Sequence, residues 1–213
     1  VPVVVLLQDE RMRAPGYPLR KFPCVLWDSA AIGRMAADYF VGRGYVHFAF
    51  AGVSRPGVYW SEDRGRAFRA ALRRAGFRDA AVYSAGTPAE QNDWARESVR
   101  MRAWLRALPK PVAVFAPNDR RGKQVLDACL DEGLAVPEEV GVLGVDDDRW
   151  ICEASVPTLS SIRCLPVRAG AEIAGVLDRM MAGGRPGRRE VRVPPVRVVT
   201  RQSTDWLVNG DPE

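Results

Sequence analysis

The feature that most constrains this chain is an alternation of two kinds of segment. Short β-branched or aromatic runs are followed repeatedly by helix-length stretches whose apolar residues recur at three- and four-residue spacing. The first run, VPVVVLL at 1–7, is apolar on both alternating faces, as a strand covered on both sides requires. HFAFAG (47–52), AAVYSAG (80–86), PVAVFAPND (111–119) and EEVGVLGVDDD (138–148) repeat the pattern. Between them lie four helical stretches. The first, 28–45, opens on Asp28 or Ser29 as a cap and stops at Gly44, and the second, 61–76, stops at Gly76. The third, 89–108, is halted by Pro109 and Pro111, and the fourth covers 120–134. Strands alternating with helices imply right-handed crossovers and a parallel sheet with helices on both faces. Beyond 160 the pattern loosens into one more amphipathic helix (166–184) and then REVRVPPVRVVTRQST. That last segment reads as two short strands interrupted by Pro194 and Pro195, which suits strands at sheet edges.

Composition matters mainly for what it excludes. At 213 residues with 47% hydrophobic content, the chain can build a core that needs no covalent staples. Cys24, Cys129, Cys152 and Cys164 are widely separated and form no C-x-x-C pair, which argues against a zinc cage or a dithiol redox motif. Reduced thiols in the cytoplasm are the expectation. No apolar run reaches the ~18 residues of a membrane span. The net charge of +5 comes almost wholly from arginines scattered through helices and turns, with no basic run, so it carries little weight as the mark of a nucleic-acid surface.

Open α/β sheets bind ligands outside the carboxyl ends of their strands. Three such ends carry polar clusters here: Ser54 to Arg64, Asn118 with Asp119, and Asp146 to Asp148. The triple aspartate admits a magnesium-dependent enzyme, because hard oxygen ligands suit that ion. No phosphate-cradling glycine loop or nucleophile elbow accompanies it, and the single histidine, His47, reads as a structural residue at a strand start. A sugar site needs carboxylates to accept hydroxyl protons, arginine and amide groups to donate, and an aromatic face to cover the ring. Asp146, Asn118, Asp119 and Arg64 supply the polar groups, and Trp60 or Trp94 the platform. Each alone has an ordinary structural explanation, an acid as helix cap or a tryptophan as half-buried core; their convergence at one sheet edge favours a site.

GRGYVHFAFAG, DRGRAFRAAL, AVFAPND, EEVGVLGVDDD and VPTLSSI, in that order and spacing, resemble the effector-binding region of the lactose/galactose repressor family. The tail VPPVRVVTRQSTDWLVNGDPE is more specifically similar to the xylose operon regulators. The resemblance implies a two-lobed α/β fold of the periplasmic-binding-protein type, with residues 1–53 and 161–187 in the N-terminal lobe. Residues 54–160 and 188–206 would form the other lobe, and 207–213 a tail. It places the family's sugar-contacting arginine, asparagine and aspartate on Arg64, Asn118 and Asp146, with Asp119, Trp60 and Trp94 nearby, and leaves Asp147 and Asp148 as caps. A further strand–helix–strand–helix segment of the family has no counterpart here, so the N-terminal lobe is expected to be partial. The function implied is that of a homodimeric regulator, not an enzyme and needing no cofactor. It would bind a monosaccharide, a pentose such as xylose, and act on operator DNA through a domain outside these residues.

Overall fold

The computed structural model describes residues 1–7, 15–53, 59–83, 86, 93–187 and 190–206, with the side chain of Trp94 outside that set. Two sheets organise these residues. The larger contains β3 (His47–Phe50), β4 (Ala81–Val82), β5 (Val112–Phe115), β6 (Val140–Asp146), β7 (Ser160–Arg163) and β9 (Arg197–Val199) in the order β4-β3-β5-β6-β7-β9. All neighbouring pairs are parallel except β7 with β9. The smaller places β2 (Cys24–Trp27) between β1 (Val5–Leu7) and β8 (Glu190–Val193), again parallel.

Alternation along the strands of the larger sheet divides its core in two. Phe48, Phe50, Ala113, Phe115, Leu143 and Val145 face one side, where they meet α1 (Ser29–Gly42) and α2 (Tyr59–Arg74) through Ile32, Phe40, Phe68 and Leu72. Ala49, Val112, Val114, Val140 and Val142 face the other, against Met101 and Leu105 of α3 (Trp94–Ala107) and Val125 and Leu126 of α4 (Asp119–Glu132). Phe68 is the hub of the aromatic side, its ring centroid 5.1 Å from Phe115 and 6.4 Å from Phe40 and Phe48. Gly33 lets α1 cross α2 closely: a Cβ there would lie 2.6 Å from the Arg64 carbonyl oxygen. The smaller sheet is covered on one face by α6 (Pro166–Met181), through Ala169 and Ile173 against Val25 and Val193.

The helices and strands follow the sequence expectation closely, including the two proline-separated strands, which lie at the edge of one sheet each. Two strands and a short helix were missed. Cys24–Trp27 lies just after a Pro- and Gly-rich stretch, yet it is the central strand of the smaller sheet; Ser160–Arg163 has two serines, both fully buried; and α5 (Arg149–Ala154) spans barely more than one turn. The sheets also partition the chain differently from the expected lobes. Residues 29–53, placed with the N-terminal lobe, pack in the larger sheet's layer: β3 pairs with β5, and α1 packs along α2. β7 belongs to the larger sheet and β8 to the smaller, so the changes of sheet fall between Trp27 and His47, after Arg163, and between Val193 and Arg197.

Candidate functional site

Asp146 closes β6, Asn118 lies three residues beyond β5, and Trp60 and Arg64 occupy the first turns of the helix that follows β3. Trp27 closes β2 of the smaller sheet. These five residues line a cavity of about 260 Å³ at the carboxyl edge of the strands. That volume is below the roughly 300–1,000 Å³ of pockets that take drug-sized ligands, so it suits a small molecule.

Arg64 is 4% exposed, an unusual burial for a guanidinium. Its Nη1 donates to the Pro117 carbonyl and lies 3.9 Å from Asp146 Oδ1, and its guanidinium carbon sits 5.1 Å from the centre of the Trp60 ring. Its Nε is buried with no hydrogen-bond partner. Burial disfavours the charged form of Arg64, and the carboxylate of Asp146 opposes that effect. Leaving a buried donor unmet costs about 1–3 kcal/mol.

Asn118 caps α4, its amide oxygen accepting from the Arg121 amide at 2.9 Å. That bond fixes the oxygen and leaves the NH2 group as the end available to a ligand. The Asp146 side chain stays 51% exposed. Its carboxyl is nevertheless raised above the ordinary range, because desolvation and the neighbouring Asp148 charge outweigh the attraction of Arg64. The backbone at Asp146 has φ 111° and at Asp147 φ 58°, two consecutive left-handed conformations without a glycine. Such residues cost on the order of 1–3 kcal/mol each and persist only where their surroundings enforce them.

Asp119 lies beneath the cavity rather than in its wall. It is 1% exposed; one oxygen accepts from Ser161 Oγ at 2.5 Å and the other from the Asp148 amide at 2.7 Å. Successive residues at a helix start are rotated by about 100°, so when Asn118 lines the cleft its neighbour turns into the core. Trp94 begins α3, but its side chain lies outside the described residues, as do Ser54 to Val58 of the expected polar cluster. Trp27 was missed because β2 was missed; the available signal was an aromatic residue ending a four-residue apolar run just before a capped helix.

The three aspartates do not converge on a common centre. Asp147 is held by Arg163 at 2.6 Å and Arg201 at 2.7 Å, so it is an ion-pair hub and not the cap expected of it. Asp148 does cap α5, accepting from the Trp150 amide at 3.0 Å. Among the described residues no group of three or more His, Cys, Asp and Glu is arranged to hold a metal ion. A second hollow of about 740 Å³ is also lined by Asp146. Its charged walls are already paired, Asp147 with two arginines and Arg149 with Glu153, so it offers a ligand fewer unmet groups than the smaller cavity. Burial raises the Cys129 and Cys164 thiols to about 12, which leaves them unreactive. His47 begins β3 opposite Val112 and is remote from the cavity lining. No helix among the described residues is long and apolar enough to cross a membrane.

Comparison with known proteins places this geometry. The xylose operon regulatory protein of Haemophilus influenzae is 29% identical over 201 residues, which cover 94% of this chain and 51% of that protein. Its namesake in Escherichia coli is 30% identical over 186 residues, 87% of this chain and 47% of its own. The chain therefore spans about half the length of the curated relatives it matches. Both relatives are transcription regulators and not enzymes. Among solved structures, a xylose-binding transcription activator covers the whole chain and 55% of its own length with a TM-score of 0.86 at 29% identity. A regulator solved with cellobiose shares the fold, with a TM-score of 0.70 at 22% identity over 95% of this chain and 65% of its own. Residues 37–204 match the periplasmic binding protein-like domain, and the chain belongs to that family.

Proposed function

We propose that this chain is the ligand-sensing region of a cytoplasmic transcription regulator, and that it binds a monosaccharide, a pentose such as xylose, in the cavity between Trp27 and Arg64. The observation that carries the reading is the cavity itself. It combines a buried guanidinium, an amide whose oxygen is fixed by a helix cap, a strand-end carboxylate and two indoles. Carboxylate and guanidinium together match the paired donor and acceptor character of sugar hydroxyls, and an indole covers the apolar face of a ring. The similarity to xylose operon regulators supports the choice of a pentose.

Trp27 comes from the smaller sheet and the remaining lining residues from the layer of the larger one. A ligand touching both would favour the arrangement in which the two are drawn together, and that bias is what a sensor transmits. In this reading the sugar alters how two subunits of a homodimer present DNA-binding domains that lie outside these residues. Calorimetry against a panel of pentoses and hexoses tests it, with Asp146→Asn and Trp27→Ala as variants. We expect one pentose to bind best, and each variant to weaken it at least tenfold, about 1.4 kcal/mol. Failure of every monosaccharide to bind, or undiminished affinity in both variants, refutes the assignment.

A further inference from the structure

The left-handed turn that presents Asp146 has no glycine to relax it, and its restraint comes from below. Asp119 Oδ2 accepts from the Asp148 amide at 2.7 Å. Its Oδ1 accepts from Ser161 Oγ at 2.5 Å, and Ser161 Oγ in turn accepts from the Asp147 amide at 3.0 Å. One buried carboxylate thus governs both amides that follow Asp146, directly and through one hydroxyl. β6 passes immediately over it: a Cβ on Gly144 would lie 2.3 Å from Asp119 Oδ1. In sequence, Asp119 adjoins Asn118, so the same helix start supplies a cavity residue and the anchor of another.

We propose that Asp119 is a positioning residue for the ligand site: ionised, it holds the 146–148 turn and keeps Asp146 facing Arg64, and its protonation releases that turn and weakens ligand binding. The inference rests on reading the Asp146 cavity as the ligand site. Each oxygen of the ionised carboxylate accepts a charge-assisted hydrogen bond, so protonation removes the charge that strengthens the bond from the Asp148 N–H. A proton added to Oδ1 forces the Ser161 hydroxyl to turn away. Burial raises the Asp119 carboxyl to about 7, with the Asp146 charge adding to the rise and the bonds from Ser161, the Asp148 amide and the Cys152 thiol opposing it. The groups facing it are Cys152 on α5, Asp146 and Asp148 at the end of β6, Ser161 and Cys164 on and after β7, and Arg64 on α2. The adjoining Asp147 is held by Arg163 and Arg201.

The test measures xylose and the other panel sugars by calorimetry from pH 8 to pH 6 on wild type, Asp119→Asn and Ser161→Ala. A single group titrating at about 7 is about nine-tenths ionised at pH 8 and about one-tenth at pH 6, so wild-type affinity falls about tenfold. Asp119→Asn binds more weakly and lacks that step, keeping only the acid limb due to Asp146. Ser161→Ala loses a bond to the ionised form, so its step moves to higher pH. A purely structural role would weaken binding equally at every pH. Hydrogen exchange of the 144–150 segment, corrected for intrinsic rates, is followed in parallel. Its protection should fall as Asp119 protonates and be low at all pH in Asp119→Asn. A flat wild-type affinity, or an unchanged step in Asp119→Asn, overturns the proposal. If no sugar binds wild type, the reading of the cavity fails. The exchange data then decide the positioning role alone, and equal protection of wild type and Asp119→Asn across the range overturns it.

Discussion

Glu97 on α3 and Arg121 on α4 form an ion pair sealed from solvent, 1% and 4% exposed. Arg121 Nη1 lies 2.9 Å from Glu97 Oε1, but both Glu97 oxygens and Arg121 Nη2 are buried without a hydrogen bond. Arg121 has other partners: its Nε donates to the Ala51 carbonyl at 3.2 Å, its Nη1 to Gln124 at 3.0 Å, and its guanidinium lies over the Tyr83 ring at 4.9 Å. Glu97 depends far more on the pair. Removing one member of a buried pair costs about 3–5 kcal/mol, because the survivor remains desolvated and uncompensated. Arg121→Met should fall at the upper end of that range, and Glu97→Leu at the lower. Against a total stability of about 5–15 kcal/mol, the first variant loses a third or more. The double variant removes both charges and their unmet atoms but leaves the buried Tyr83 hydroxyl and the Ala51 carbonyl without those neighbours, and should be far closer to wild type than the sum of the singles. Urea denaturation at pH 7 gives the four corners of this cycle from midpoints at constant slope. The Asn118 cap bonds only the backbone of Arg121, so sugar affinity should survive in the double variant. An Arg121→Met variant within about 1 kcal/mol of wild type, or a double variant as unstable as the sum of the singles, would refute the reasoning.

Gly33→Ala drives a Cβ to within 2.7 Å of the Phe68 amide nitrogen as well as the Arg64 carbonyl, and neither backbone can yield without spreading α1 from α2. We expect roughly 1–3 kcal/mol of destabilisation by urea denaturation and weaker ligand binding, because Arg64 moves with its backbone. Asp119 has a folded-state pKa of about 7, above its unfolded value near 3.8, so the folded state binds more protons between the two. Its stabilising effect is therefore complete below the unfolded value and lost as pH rises through 7, by on the order of 4 kcal/mol in all. Melts of wild type and Asp119→Asn should consequently converge or cross in favour of the variant between pH 5 and pH 8, and parallel curves would count against it. Asp79 has the opposite sign. The hydrogen bond from Arg69, aided by Arg73, lowers its carboxyl, so its contribution is present above the usual carboxylate range and lost as pH falls through the lowered value. All three side chains are more than a third exposed, so Asp79→Asn should cost less than about 1 kcal/mol, and less still in 1 M salt.

The layers of the larger sheet were legible because the two periodicities that define them are local. Phe48-Ala49-Phe50 and Val112-Ala113-Val114-Phe115 carry their facing pattern within four residues, and the capped helices between them carry theirs within a few turns. The membership of the smaller sheet was not legible, because it depends on pairings across long separations. Cys24–Trp27 meets Glu190–Val193 in register, and nothing near residue 24 announces that partner. The lobe boundary expected near 53 failed for the same reason, since only pairing with β5 shows where β3 belongs.

At the site, the limit of sequence reasoning lies in direction, not in residue choice. Four of the residues singled out around the strand ends, Trp60, Arg64, Asn118 and Asp146, line the cavity, yet adjacency in sequence misrepresents what each does. Asn118 and Asp119 are neighbours, but the helix start sends one to the cavity and the other to the core. The three aspartates that close β6 look equivalent in sequence and have three different fates. Asp146 faces Arg64, Asp147 binds two arginines, and Asp148 caps a helix. What separates them is the pair of left-handed residues at 146 and 147, a conformation that aspartate tolerates but that three aspartates in a row do not assign to any one of them. That conformation in turn depends on a carboxylate 27 residues earlier. The acid that the cavity uses and the acid that aims it are therefore different residues, and substitution of either alone should weaken binding, with the pH dependence and the exchange of the 144–150 segment telling them apart.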